Sequence, residues 1–79
     1  MSPTVFQYRH FRVVFFSREE TRRHVHVLTP DGEAKFWIDP AVELAMNKGI
    51  PAREIADIKR QIEERTNEIR NAWDRHFNR

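Results

Sequence analysis

No cysteine occurs in the chain, which removes disulfides and thiolate zinc sites and suits a reducing compartment. No apolar run approaches the ~20 residues that a membrane span needs. The N-terminus has no basic segment followed by an apolar one. A soluble, cytoplasmic protein is therefore the expectation. Linkers, internal repeats and low-complexity tracts are also missing, so residues 1–79 read as a single small domain. At that length one hydrophobic core only just outweighs chain entropy, and a partner, or a second copy in a homodimer, is a natural source of stability. Signatures of a helix-turn-helix, a zinc finger or an aromatic RNA-recognition module are absent too.

What the chain does have is arginine. The formal net charge is only +2, yet eleven of the fourteen basic residues are Arg, whose planar, permanently charged fork suits phosphate and carboxylate. The first 23 residues hold Arg9, Arg12, Arg18, Arg22 and Arg23 against Glu19 and Glu20 alone, whereas acids and bases balance in the C-terminal half. This asymmetry permits binding of nucleic acid or an acidic partner; a solvated Arg-rich surface is the plainer reading.

His24-Val25-His26-Val27 is the most informative stretch. As a strand it places both imidazoles on one face and both valines on the other. It is the third of four predicted strands, after Val5–Gln7 and Phe11–Phe16 and before Glu33–Ile38. The first two join at Tyr8-Arg9-His10, a turn with no Gly or Asn to support it. Ser17–Arg23 forms a charged connection. Thr29-Pro30-Asp31-Gly32 is a strong hairpin turn, with Pro fixing φ early and Gly free to take positive φ late. Two registers compete there. Pairing Thr29 with Glu33 sets His26 opposite Phe36. Pairing Leu28 with Glu33 gathers Val25, Val27, Ala34, Phe36 and Ile38 on one apolar face and leaves His24, His26, Lys35 and Trp37 on the other. The hydrophobic pattern favours the second pairing.

Asp39-Pro40 reads as a helix start, with Asp as cap and Pro at the first helical position. Val42, Leu44, Ala45 and Met46 then give a short helix that Gly49 ends. A long helix follows from Pro51, its stripe formed by Ile55, Ile58, Ile62, Ile69, Trp73 and Phe77. Carried to Phe77 it would run ~40 Å at 1.5 Å per residue, so it should bend, end early or reach a partner. The expected fold is α+β: a four-stranded, mainly antiparallel β-meander followed by a short and a long C-terminal helix packed on one face.

Three chemistries suit the histidine face. His24 and His26 project alike and can grip one metal ion, with Glu19 or Glu20 adding an oxygen and His76 reachable if the last helix folds back. No third ligand is fixed by spacing, so no metal or cofactor is assigned. Metal-independent RNA cleavage needs a base, an acid and a cation for the phosphorane charge. His24, His26 and Lys35 would carry it, beside Arg22 or Arg23, because an unperturbed imidazole titrates near neutrality. Binding without turnover is the third reading: Arg22, Arg23, His24, His26, Lys35 and Trp37, with Glu20 close by, can hold phosphates, stack a base or dock an acidic protein. Enzymatic activity is left open, with binding ahead of catalysis. Trp73 and Phe77, four apart, read as core with His76 beside them, and Ser17 has no base at fixed spacing.

The run from Phe15 to Glu20, then His24-Val25-His26-Val27 and Gly32-Glu33-Ala34-Lys35-Phe36-Trp37-Ile38-Asp39-Pro40, resembles the bacterial domain of unknown function family 4160. Glu43-Leu44-Ala45, Asn47, Gly49 and Ala72-Trp73 extend the likeness over nearly the whole chain. The resemblance implies a member of a toxin–antitoxin-like pair. This chain would be the toxin, and its partner a small neighbouring protein of unknown-function family 2442. Motif positions carry over to His24, His26, Lys35, Phe36 and Trp37. Many relatives resemble a His-Glu-Pro-Pro run where this chain has Glu20-Thr21-Arg22-Arg23, so a three-histidine site is not implied here. Pro51 stands where relatives often have a capping Ser.

Overall fold

The computed structural model describes residues 4–16 and 22–77. Five strands, β1 (Thr4–Tyr8), β2 (Phe11–Val14), β3 (His24–Leu28), β4 (Glu33–Trp37) and β5 (Glu43–Lys48), precede two helices, α1 (Ala52–Glu63) and α2 (Thr66–Phe77). The strands form one antiparallel meander in the order β1-β2-β3-β4-β5. The expectation of an α+β fold with an antiparallel sheet and two C-terminal helices holds, but the sheet has five strands rather than four. Among the described residues, no helix is long and apolar enough to cross a membrane.

The register between β3 and β4 is the one that the hydrophobic pattern favours: Leu28 faces Glu33, His26 faces Lys35 and His24 faces Trp37. The turn itself helps to set it. Thr29 N–H donates to the Gly32 carbonyl at 2.9 Å, while the Thr29 hydroxyl accepts from the amides of Asp31 and Gly32, each at 3.1 Å. Gly32 is required for a different reason from the one the sequence suggested. Of the two glycines only Gly49 has positive φ, at 93°. A Cβ on Gly32 would lie 1.9 Å from the Lys48 carbonyl oxygen, so β5 crosses too close for a side chain.

Val13, Val25, Val27, Ala34 and Phe36 point to the helices and are fully buried with Ile58, Ile62 and Ile69. Both edge strands bulge: the ladder shifts between Thr4 and Phe6 in β1 and around Ala45 in β5. Such bulges twist an edge away from further pairing.

Two helix expectations are corrected. Residues 43–48 are a strand, and Asp39 caps nothing: its carboxylate accepts from Arg23 Nη1 at 2.9 Å and Arg70 Nε at 2.8 Å. The free edge of β4 offers this segment a ladder, with Glu43, Leu44 and Met46 paired to Trp37, Phe36 and Lys35, so tertiary pairing overrides helix propensity. The Asp39–Pro40 peptide is cis. The long helix from Pro51 ends early, breaking at Glu64 and Arg65 into α1 and α2. A continuous rod would exceed the longest dimension of the domain, 36 Å. Arg65 secures the break, donating to the Gln61 carbonyl at 3.2 Å and side-chain oxygen at 2.8 Å. Its guanidinium lies 4.6 Å from the Phe6 ring centre, which ties the corner to β1.

Candidate functional site

Strand alternation assigns the second face of the sheet. One rung runs Gln7, Arg12, Leu28, Glu33, Lys48; the next runs Thr4, Val14, His26, Lys35, Met46; His24, Trp37 and Glu43 follow. Apart from Val14 and His24, these residues are half-buried or exposed. Val14 is fully buried yet stands outside the helix-side core.

Rings and cations form a continuous file across this face. Phe16 stacks on His26 with centres 4.2 Å apart and planes at 21°. His26 meets His24 edge-on at 5.3 Å, and His24 meets Trp37 at 5.8 Å. Arg22 and Lys35 then lie over the Trp37 ring, 4.3 and 4.4 Å from its centre. Cation–π attraction holds both charges there. Trp37, expected to stack a base, carries both cations against its ring. The exposed aromatic of the face is Phe16, which retains 41% of its surface. Sequence reasoning had not singled it out. Its signal was parity: with Phe11, Val13 and Phe15 turned to the core, Phe16 falls on the histidine side.

The histidines are not equivalent. His26 is half-buried, whereas His24, expected on a wet face, is only 2% exposed. It touches Trp37 on one side and Trp73 of α2 at 5.2 Å on the other, so α2 covers the end of β3. His24 Nδ1 lies 2.9 Å from the Arg22 carbonyl. The carbonyl can only accept, so Nδ1 is the donor of this bond.

Arg23, grouped with Arg22 by sequence, turns away into an ion network. It reaches Asp39, as above, and Asp74 at 2.7 Å through Nη2, and Arg70 closes the cluster on Asp39. Partial burial pushes the Asp39 carboxyl up, but its bonds to Arg70 and Arg23 and their charges outweigh this and hold it below the usual carboxylate range. Asp74 and then Asp39 raise Arg23 above its ordinary value. Arg23 therefore locks α2 to the sheet, while Arg22 stays on the face, donating from Nε to the Asp39 carbonyl at 2.9 Å and standing 3.7 Å from Glu43.

Glu19 and Glu20, considered as ligands or binding groups, lie outside the described residues, as does Ser17. Among the described residues no three His, Asp or Glu side chains come together as a metal-binding group. His76 is packed against Phe15 and Phe77, in keeping with its reading as a core neighbour.

A cleft of about 660 Å³ lies at the other end of the sheet between the Arg9-His10 turn and α1. Within it His10 is paired with Glu54 and Arg60 with Asp57. The file of rings and cations offers the more distinctive chemistry, and volume alone does not move the site to the cleft.

The model of the domain of unknown function family 4160 matches residues 11–74, a span that includes β2 to β5, α1 and most of α2. No curated protein and no solved structure matches the chain.

Proposed function

The chain belongs to the domain of unknown function family 4160, and on that premise we propose that it is a binding module whose histidine face takes RNA, acting as the toxin of a toxin–antitoxin-like pair. The observation that supports RNA is the file of rings from Phe16 through His26 and His24 to Trp37, which ends on the two cations Arg22 and Lys35. Around it stand Arg12, Arg22, Lys35 and Lys48 against Glu33 and Glu43, an excess of positive charge that suits a phosphate backbone. The pairing with a small neighbouring protein draws on the family resemblance alone. Binding is preferred to RNA cleavage because His24, one of the two imidazoles that cleavage would use, is buried and bonded to a main-chain carbonyl.

The test is anisotropy of a labelled RNA titrated with the protein across a salt series. Wild type should lose affinity steeply with salt, and Lys35→Gln should flatten the logarithmic slope by about one. Equal slopes for the two would remove Lys35 from the phosphate contacts; no binding at low salt would remove RNA from the reading. For the toxin role, expression alone should slow growth and co-expression of the neighbouring protein should restore it.

A further inference from the structure

Resting on the RNA-binding reading of the same face, we infer that its ligand is single-stranded, with one unpaired base seated on Phe16 and the adjoining backbone on Arg22 and Lys35. The argument begins with the Phe16 ring. One side is covered by the nearly parallel imidazole of His26 at 4.2 Å, yet 41% of the residue is exposed, so the stacked ring keeps accessible surface. A benzene ring has no hydrogen-bonding edge; what it can offer a nucleotide is its flat surface. Bases in a duplex have both faces occupied by their neighbours, so only an unpaired base can present its face to a protein ring.

The second half of the site is spaced to match. Phe16 follows β2, and Lys35 and Trp37 lie on β4, two strand spacings away, about 10 Å. Arg22 and Lys35 are gathered over one indole, with Glu43 3.7 Å from Arg22, and the two cations concentrate positive charge on this part of the face, which suits a phosphate. A duplex would lay paired phosphate rows across the face without using the exposed ring. A single strand uses both features: phosphate on the cations, base on the phenyl. Of the acids of the face, Glu43 lies on β5 and Glu33 at the start of β4, so the favoured path crosses from β2 to the Lys35–Trp37 end of β4 and keeps clear of both.

The experiment compares three ligands: a mixed-sequence single-stranded RNA, the same RNA annealed to its complement, and inorganic polyphosphate as a baseless polyanion. Wild type should bind the single strand more tightly than the duplex. Phe16→Ala should weaken the single strand roughly tenfold while leaving polyphosphate affinity and its salt slope unchanged, and Phe16→Trp should restore single-strand binding. Lys35→Gln should weaken all three ligands. A thermal melt of each variant establishes that the fold is intact, which is expected for the part-exposed Phe16. Equal affinity for duplex and single strand, or a single-strand affinity indifferent to Phe16→Ala, overturns this inference and leaves RNA binding standing. Failure of wild type to bind any RNA overturns both together.

Discussion

The two faces of β3 belong to one five-residue strand and behave in opposite ways. Val25 and Val27 vanish into an apolar layer built with Ile58, Ile62 and Ile69. His24 and His26 enter a polar layer of rings and charges, where His24 Nδ1 also bonds to the Arg22 carbonyl. Alternation decides which side chain goes where, but not how deeply it is buried. His24 is as inaccessible as many core residues because α2 brings Trp73 over the end of the strand. The contrast teaches that a strand's polar face can itself be partly interior when a helix wraps past its end.

The helix-side face should be the easier to break. Ile62 is fully buried in the middle of the apolar layer. Ile62→Asp would strand a carboxylate there at a cost of at least several kcal/mol, comparable with the roughly 4–12 kcal/mol that a chain this short commands. The variant should show no cooperative thermal transition by circular dichroism. A melting curve like that of wild type would mean that the α1 stripe is not the core.

On the other face, the two histidines should separate. His24→Ala empties a site enclosed by Trp37, Trp73 and His26 and should cost roughly 2–4 kcal/mol, as other buried large-to-small changes do. His26→Ala, at a half-exposed ring, should cost less than half of that. Urea denaturation of the pair measures the difference directly. Equal losses would erase the distinction between a buried and a surface imidazole on this strand.

The sequence carried the first of these contrasts better than the second. The register of β3 on β4 was legible because a one-residue slip would have turned Val25, Val27, Ala34 and Phe36 to water. The stripe on α1 and α2 was legible from its spacing, and so was the impossibility of one straight rod. β5 was misread since Asp39-Pro40 looks like a helix start. What uses the Asp39 carboxylate instead are Arg23 and Arg70, and no local pattern announces partners that far along the chain. Phe16 stands out less in the sequence than the two histidines, and nothing in the sequence shows two cations folding back onto the Trp37 ring. Burial of His24 depends on where α2 ends up, a tertiary fact.

The clamp that brings α2 to the sheet should show its own pH signature. Asp39 has a folded pKa held below the usual range, so it contributes stability in its ionised form. That contribution is complete above the unfolded value of about 3.9 and is lost as pH falls through the lower folded value. Asp39→Asn removes the charge at every pH and, with the site part-exposed and screened, should cost on the order of 1 kcal/mol near neutrality. The gap between wild type and variant should stay constant from neutral pH to mildly acid and close below about pH 4. A gap that persists unchanged into strong acid would mean that the carboxylate's charge is not what holds Arg23 and Arg70.

The smallest effect has the opposite sign and lies at the far end of the sheet from the histidines. Arg9 occupies the hairpin turn between β1 and β2 with φ at 56°, a left-handed conformation that disfavours any residue with a Cβ. Tyr8 and Phe11 pair directly across it, so the loop has two residues, and Arg9 holds the first position. A positive φ there alone is the pattern in which Gly is preferred. Arg9→Gly should relieve strain of about 1 kcal/mol, reduced by the greater freedom of Gly in the unfolded chain and by loss of the Arg9 contact with the Tyr8 ring at 5.3 Å. The expected result is a small rise in melting temperature with unchanged affinity for RNA, since the turn is remote from Phe16, His26 and Trp37. A fall in melting temperature would show that the Tyr8 contact outweighs the strained backbone. A fall in RNA affinity would extend the binding face to the opposite end of the sheet and dissolve the separation of the two ends.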